Sequence, residues 1–85
     1  MLHALKTWPE YYKDVESGKK TFEIRKEDRP FKENDILMLQ EYDPNTGYTG
    51  NELSFTITFI LRDALEMGLK KGYCIIGIKP KENGY

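Results

Sequence analysis

The stretch Gly18-Lys-Lys-Thr-Phe-Glu-Ile-Arg-Lys-Glu-Asp-Arg29 decides how the rest of the chain is arranged. Eight of its twelve residues are charged, yet Phe22 and Ile24 alternate with Glu23 and Arg25 as they would in a β-strand. In an extended backbone the two apolar side chains face one way, and the carboxylate and the guanidinium face the other way. This polar face is either an ordinary solvated surface of a half-exposed strand or a binding site.

A helix is predicted immediately before this stretch. Thr7 and Glu10 have the spacing of an N-terminal capping box, and Pro9 suits the first helical turn. We expect the helix to end near residue 17, because Gly18 can adopt the left-handed conformation that closes a helix. Its aromatic and apolar residues recur at intervals of three and four, and we expect this stripe to pack into the core rather than to stack on a ligand. The stripe consists of Trp8, Tyr11, Tyr12 and Val15.

Apolar alternation predicts five strands in total. The segment from Leu53 to Arg62 alternates most cleanly, and His3 in the first strand is predicted to be a packed histidine. Asp63 and Gly68 are expected to bound a short helix. This element order fits a five-stranded barrel with helices at its rim, and an open α+β sheet fits it equally well. The predicted strands cover residues 2–6, 19–25, 36–42, 53–62 and 73–78, with a hairpin connection over 43–51 and the short helix over 63–69.

Length and composition indicate one small soluble domain. The 85 residues are 39% hydrophobic and 32% charged, and no apolar stretch approaches the ~20 residues that cross a bilayer. The first residues lack the architecture of a signal peptide, so we predict a cytoplasmic protein with no membrane partner. The domain is predicted to cover residues 1–79, followed by a polar C-terminal tail over 80–85.

Cysteine and histidine usage restricts the chemistry that the chain can perform. Cys74 is the only cysteine and lies in an apolar segment, which indicates a buried thiol rather than a nucleophile. One cysteine and one histidine cannot form a transition-metal ligand set. We therefore predict no metal site and no cofactor.

Charge is unevenly distributed along the chain. The net charge of -1 does not by itself indicate a protein that binds nucleic acid. Residues 19–32, however, contain six basic and three acidic side chains, whereas residues 33–69 contain one basic and seven acidic side chains. This division is compatible with one face that binds an anion and another that does not.

The spacing Gly-x-Lys-x-x-Glu-x-Arg, matched by Gly18, Lys20, Glu23 and Arg25, resembles the signature of the ASCH domains of the PUA-like superfamily. Over nearly the whole chain the sequence resembles one small bacterial and phage branch of that superfamily, the DUF3850 family. This resemblance implies a mainly β, α+β fold: a five-stranded β-barrel with one N-terminal helix beside its cleft and a short helix near the rim. The wider match consists of His3-x-Leu5-Lys6, Gly18–Lys26, Asp28-Arg29, Glu41–Asp43 and Tyr48–Gly50.

The role that the resemblance implies is binding of single-stranded RNA or a nucleotide. In that interpretation Arg25 and Lys20 hold a phosphate or a base edge, and Glu23 accepts hydrogen bonds from an exocyclic amine. Arg29 adds positive charge, and Lys6 lies at the rim of the cleft. Strict alternation places Lys20 on the wrong side of the strand, so it joins the site only if the backbone twists before the strand or its long side chain bends around the edge.

Two other functions are open at this stage. Some ASCH relatives are amidohydrolases of acylated nucleosides with a Lys-x-x-Thr motif, whereas the third residue after Lys20 in this chain is Glu23. An enzyme would therefore use the adjacent Thr21 as its nucleophile or Glu23 as a general base. The other alternative is a bacterial or phage accessory factor that binds a protein partner.

Overall fold

The computed structural model describes residues 1–81 and is mainly β. Among these residues, no helix is long and apolar enough to cross a membrane. The last strand ends at Pro80, one residue inside the predicted tail, and residues 82–85 of that tail lie outside the described residues. The elements are β1 (Leu2–Thr7), α1 (Pro9–Glu16), β2 (Phe22–Lys26), β3 (Ile36–Asp43), β4 (Gly47–Leu61), a 3-10 turn (Leu65–Met67) and β5 (Tyr73–Pro80).

The five strands form one mixed sheet in the order β1-β3-β4-β5-β2. Strand β1 pairs with β3 in parallel, and the other three pairings are antiparallel. The sheet curls into a half-barrel, so the predicted mainly β fold with five strands is confirmed, but the barrel that the resemblance implies is not closed. Its two edges are β1 and β2, which α1 connects in the chain, and this connection positions the candidate site.

The core joins residues of the helix, of one loop and of four strands. Val15 of α1 and Phe31 of the loop after β2 join buried residues from β1, β3, β4 and β5. His3 is packed, as predicted: its Nε2 atom lies 2.9 Å from Asp35 Oδ2, and its ring meets that of Phe31 edge to face at 4.8 Å. The strand members of the core are Leu5, Leu37, Leu39, Phe55, Ile57, Ile60, Cys74, Ile76 and Ile78.

Strand β4 departs from the predicted alternation. Regular alternation puts Phe59 on the core face, but the register against β5 shifts between Ile57 and Phe59. Beyond this bulge Ile60 is buried and Phe59 is exposed. A Cβ atom at Gly77 would lie 2.8 Å from Thr58 Oγ1, so a side chain at that position would displace the hydroxyl.

The predicted capping box is also wrong. Trp8 is the N-cap of α1 and makes no side-chain capping bond, while Thr7 is a buried residue of β1. Strand β1 extends one residue further than predicted, so Thr7 belongs to the strand and does not cap the helix. The end of the helix is as predicted, since Gly18 follows it with a φ of +84°.

Two connections between strands differ from the sequence prediction. The hairpin predicted over 43–51 has a turn of only three residues, 44–46, because Asp43 of β3 still pairs with Gly47 of β4. The predicted helix over 63–69 is a single 3-10 turn whose N-cap is Ala64 and not Asp63. The shorter turn lengthens β4, the longest strand, which begins at Gly47 rather than at Leu53.

Candidate functional site

Strand β2 turns its polar side chains toward the interior. Glu23 is buried, whereas Phe22 and Ile24 are 40% and 52% exposed. The alternation predicted for this strand is therefore present, but the carboxylate takes the inward position that an apolar side chain usually occupies. The strand begins at Phe22 rather than at residue 19, so Lys20 precedes it.

The Glu23 carboxylate lies between two cations. Its Oε2 atom accepts a hydrogen bond of 2.9 Å from Lys20 Nζ, and its Oε1 atom accepts one of 3.2 Å from Arg25 Nη2. Lys20 reaches this position because it belongs to the turn after α1, where its backbone N–H donates to the Asp14 carbonyl. The twist at the junction between helix and strand thus places Lys20 on the same side as Glu23 and Arg25.

Arg25 connects the two edges of the half-barrel. Its Nη2 atom donates to the Lys6 carbonyl of β1 at 2.6 Å and lies 3.5 Å from Thr7 Oγ1. In the described part of the chain, every hydrogen bond that this guanidinium makes uses Nη2. The Nε–H and Nη1–H groups therefore have no acceptor among residues 1–81 and are available to a ligand.

A cavity of about 790 Å³ opens above these charges. We call it the aromatic cavity. Trp8 and Tyr11 line it with nearly parallel rings whose centroids are 6.4 Å apart, and the Lys20 ammonium lies 5.0 Å from the centroid of Tyr11. The complete lining is Lys6, Thr7, Trp8, Tyr11, Lys20, Phe22, Glu23, Ile24, Arg25 and Tyr73.

The predicted core stripe of α1 is only half correct. Tyr12 and Val15 are buried, whereas Trp8 and Tyr11 are 50% and 48% exposed and line the cavity. Trp8 has an extended backbone at the N-cap, so its direction does not follow helical spacing. Sequence reasoning also missed Tyr73, for which no local pattern pointed to the site.

The remaining candidate residues lie in different places. Lys6 lines the aromatic cavity, and its ammonium is 4.4 Å from the centroid of the Tyr42 ring. Arg29 does not line this cavity but donates from Nη1 to the Ala4 carbonyl at 3.2 Å. Thr21, named as a possible nucleophile, is exposed and does not line the cavity either.

The chemistry of the aromatic cavity is that of polar recognition beside flat apolar walls. Among residues 1–81, no three His, Cys, Asp or Glu side chains are grouped so that they could hold a metal ion. A buried carboxylate can accept hydrogen bonds, a guanidinium can donate them, and the rings can stack on a planar ligand.

Comparison with protein families gives a match over nearly the whole chain. Residues 2–78 match the family model described as "Domain of unknown function (DUF3850)". No curated protein matches the chain.

Proposed function

The chain belongs to the DUF3850 family, and because that description assigns no activity, we propose a function from the site itself: the protein binds single-stranded RNA or a nucleotide, with one base in the aromatic cavity. The observation that carries this proposal is the buried Glu23 carboxylate, held between Lys20 and Arg25 beneath exposed aromatic rings.

The hydrogen-bonding groups at the base of the cavity suit the edge of a nucleobase. Each Glu23 oxygen accepts one bond from a protein cation, which leaves one acceptor position on each oxygen for an exocyclic amine. The Nε–H and Nη1–H of Arg25 can donate to a base carbonyl or ring nitrogen. An acceptor and donors side by side select among bases, whereas cations alone would only attract phosphate.

The cavity walls suit the faces of a base. Trp8 and Tyr11 are half exposed although they are large aromatic residues, which is costly unless a partner covers them. Stacking of a base on an aromatic ring is worth about 1–3 kcal/mol. The cavity volume lies within the range of about 300–1,000 Å³ that is usual for small-molecule sites.

The amidohydrolase alternative has weaker support from the geometry. Lys20 and Glu23 are bonded to each other, but the Thr21 side chain lies outside the cavity that they line. A nucleophile must approach the reacting carbon together with its activating base. We therefore favour binding over hydrolysis.

We further propose that the family is a branch of the ASCH domains of the PUA-like superfamily. The spacing of Gly18, Lys20, Glu23 and Arg25 supports this, as does a curled five-stranded sheet with a helix between its edges. A cytoplasmic location, where RNA ligands are available, is part of the same proposal.

Intrinsic fluorescence offers a direct test, because Trp8 is the only tryptophan in the chain. Titration with single-stranded homo-oligoribonucleotides at low salt should quench its emission saturably, with a different midpoint for each base. Trp8→Leu should weaken binding of labelled RNA by about 5- to 150-fold. The control Phe59→Leu removes an aromatic ring that is more than half exposed but lies outside the cavity, and it should leave binding unchanged. Absence of binding in both fluorescence and anisotropy experiments would exclude the proposal.

A further inference from the structure

A second cavity of about 330 Å³ lies beside the aromatic cavity. We call it the basic cavity. Lys6 and Arg25 line both cavities, so a ligand in one of them contacts side chains that also face the other. On the far side the basic cavity is lined by Arg29 of the loop after β2 and by Tyr48 of the β3–β4 hairpin.

The charges of the two cavities differ. The basic cavity has four cationic side chains, Lys6, Arg25, Lys26 and Arg29, against the single carboxylate of Asp28. That carboxylate is 61% exposed and lies 3.7 Å from Arg29 Nε, so solvent and its own cation weaken its repulsion of an anion. The aromatic cavity has three cationic side chains, Lys6, Lys20 and Arg25, but two of them are hydrogen-bonded to the buried Glu23 carboxylate, which weakens their attraction for a phosphate there.

Both guanidinium groups of the basic cavity are held by the open edge of β1. Arg25 Nη2 donates to the Lys6 carbonyl and Arg29 Nη1 donates to the Ala4 carbonyl, two residues earlier on the same strand. Because each side chain is anchored by one nitrogen, less rotamer entropy is lost when the remaining nitrogens bind an anion.

A flat ring borders the basic cavity. Tyr48 is 56% exposed, and its ring is held edge to face against Tyr42 at 5.0 Å. The Lys6 ammonium lies 4.4 Å from the centroid of Tyr42 and 5.8 Å from that of Tyr48. Tyr48 lines the basic cavity and not the aromatic one, so it offers a second stacking surface that is separate from Trp8 and Tyr11.

We propose that the basic cavity binds the phosphodiester that follows or precedes the base in the aromatic cavity, and that the adjacent base stacks on Tyr48. This inference rests on the proposed function and narrows it: the ligand is an RNA strand, and the smallest unit that binds specifically is a dinucleotide. The aromatic cavity selects one base, and Arg25 and Arg29 fix the position of the RNA strand by binding its phosphate.

The experiment compares two sets of probes, the four ribonucleosides and the four dinucleoside monophosphates ApA, CpC, GpG and UpU. For the preferred base, the dinucleoside monophosphate should bind at least about tenfold more tightly than the nucleoside, because it adds a charge-assisted contact and a stacked base. Its log affinity should fall with log salt at a slope of about -0.7, the value for one phosphate, whereas nucleoside binding should be nearly independent of salt.

Two variants test whether the basic cavity supplies the additional affinity for the dinucleoside monophosphate. Arg29→Gln and Tyr48→Ala should each reduce the ratio of dinucleotide to nucleoside affinity by about fivefold or more. The control Lys13→Gln removes the same charge from an exposed side chain of α1 that lies outside the basic segment 19–32 and lines neither cavity, and the ratio should stay at its wild-type value. Thermal melting of each variant establishes that it is folded.

The two proposals fail in different ways. If nucleosides bind but dinucleoside monophosphates bind no more tightly, the basic cavity is not a nucleotide subsite, and the base site stands. The same conclusion follows if the ratio is high but responds equally to Lys13→Gln and Arg29→Gln, since net charge alone would then explain it. If neither set of probes binds, both proposals are wrong.

Discussion

The Nη2 atom of Arg25 lies 2.6 Å from the carbonyl oxygen of Lys6, and this bond joins two edge strands that do not pair with each other. The half-barrel is therefore held across its opening by a side chain rather than by a ladder of backbone hydrogen bonds. The same nitrogen contacts the Glu23 carboxylate, so the group that we assign to ligand recognition also stabilises the fold.

Replacing Arg25 with lysine separates charge from geometry. Arg25→Lys keeps the positive charge, but a lysine ammonium cannot bond to both the Lys6 carbonyl and Glu23 as the planar guanidinium does. We therefore expect the free energy of unfolding to fall by about 1–3 kcal/mol. RNA affinity should fall while its salt dependence stays the same. Urea denaturation measures the first effect, and RNA titration at several salt concentrations measures the second.

The reverse exchange serves as the control. Lys32→Arg alters an exposed side chain that lines neither cavity and should change the free energy of unfolding by less than about 0.5 kcal/mol. Wild-type stability of Arg25→Lys would mean that the bond across the opening contributes nothing to the fold.

Glu23→Gln tests the buried carboxylate. One cation then faces the amide N–H₂ group instead of an acceptor, so we expect a loss of about 1–3 kcal/mol in the free energy of unfolding. Discrimination among bases should decrease, while non-specific affinity for RNA should rise slightly because a negative charge is removed. Thermal melting and titration with the four homo-oligoribonucleotides measure these effects.

Glu33→Gln is the matched control for Glu23→Gln. Glu33→Gln removes the same charge from an exposed side chain and should change neither stability nor base preference. Unchanged base preference in a folded Glu23→Gln variant would show that Glu23 is only structural. A fall of about 10² to 10⁴ in hydrolysis of an acylated nucleoside, with binding retained, would instead identify a general base.

The number of strands and their order along the chain could be predicted from the sequence, whereas the arrangement of the site could be predicted only in part. The alternation in β2 was visible in the sequence, but it did not show that Glu23 is on the buried face. Burial of Glu23 depends on two cationic partners, of which Arg25 lies on β2 and Lys20 lies in the turn before it. The exposure of Trp8 was missed because residue spacing assumes a helical backbone, whereas the chain is extended at Trp8. Tyr11 lies within α1, and spacing alone did not show that its neighbour Tyr12 is the one that faces the core.

The curvature of the sheet depends on information that is not local. The register shift in β4 lets Ile60 replace Phe59 in the core, and the absence of a side chain at Gly77 leaves space for Thr58. A single glycine in a predicted strand does not indicate which strand will bulge against it. For the same reason the pattern could not decide between a closed barrel and an open sheet.

Cys74 should react slowly with thiol reagents in the native protein. It is fully buried, and burial raises the pKa of its thiol, so the reactive thiolate is scarce as well as shielded. Labelling in urea should be much faster than labelling of the folded protein, and the difference reports opening of the core. Rapid native labelling would indicate that β5 separates readily from the sheet.

Acid should destabilise the protein through Asp35. The hydrogen bond with His3, followed by that from the Met1 ammonium, lowers the pKa of this carboxyl from 3.8 to about 2. A lowered pKa in the folded state contributes stability that is present above the unfolded pKa and is lost as the pH falls from about 4 toward about 2. Urea midpoints across this range should fall in the wild type and fall less in Asp35→Asn, which starts from a lower stability.

The salt dependence of RNA binding should show how far the contact surface extends. If the two cavities and the basic segment 19–32 form the surface, about two to four phosphates are contacted, and the slope of log affinity against log salt should lie between roughly -1.5 and -3. A steeper slope would extend the surface to Lys70, whose ammonium lies 5.5 Å from the centroid of Tyr73 on the cavity wall. Lys70→Gln would then reduce the slope by about 0.7. Lys13→Gln on α1 would not, because in the described part of the chain Lys70 lies over the ring of a cavity residue, Tyr73, and Lys13 lies over none.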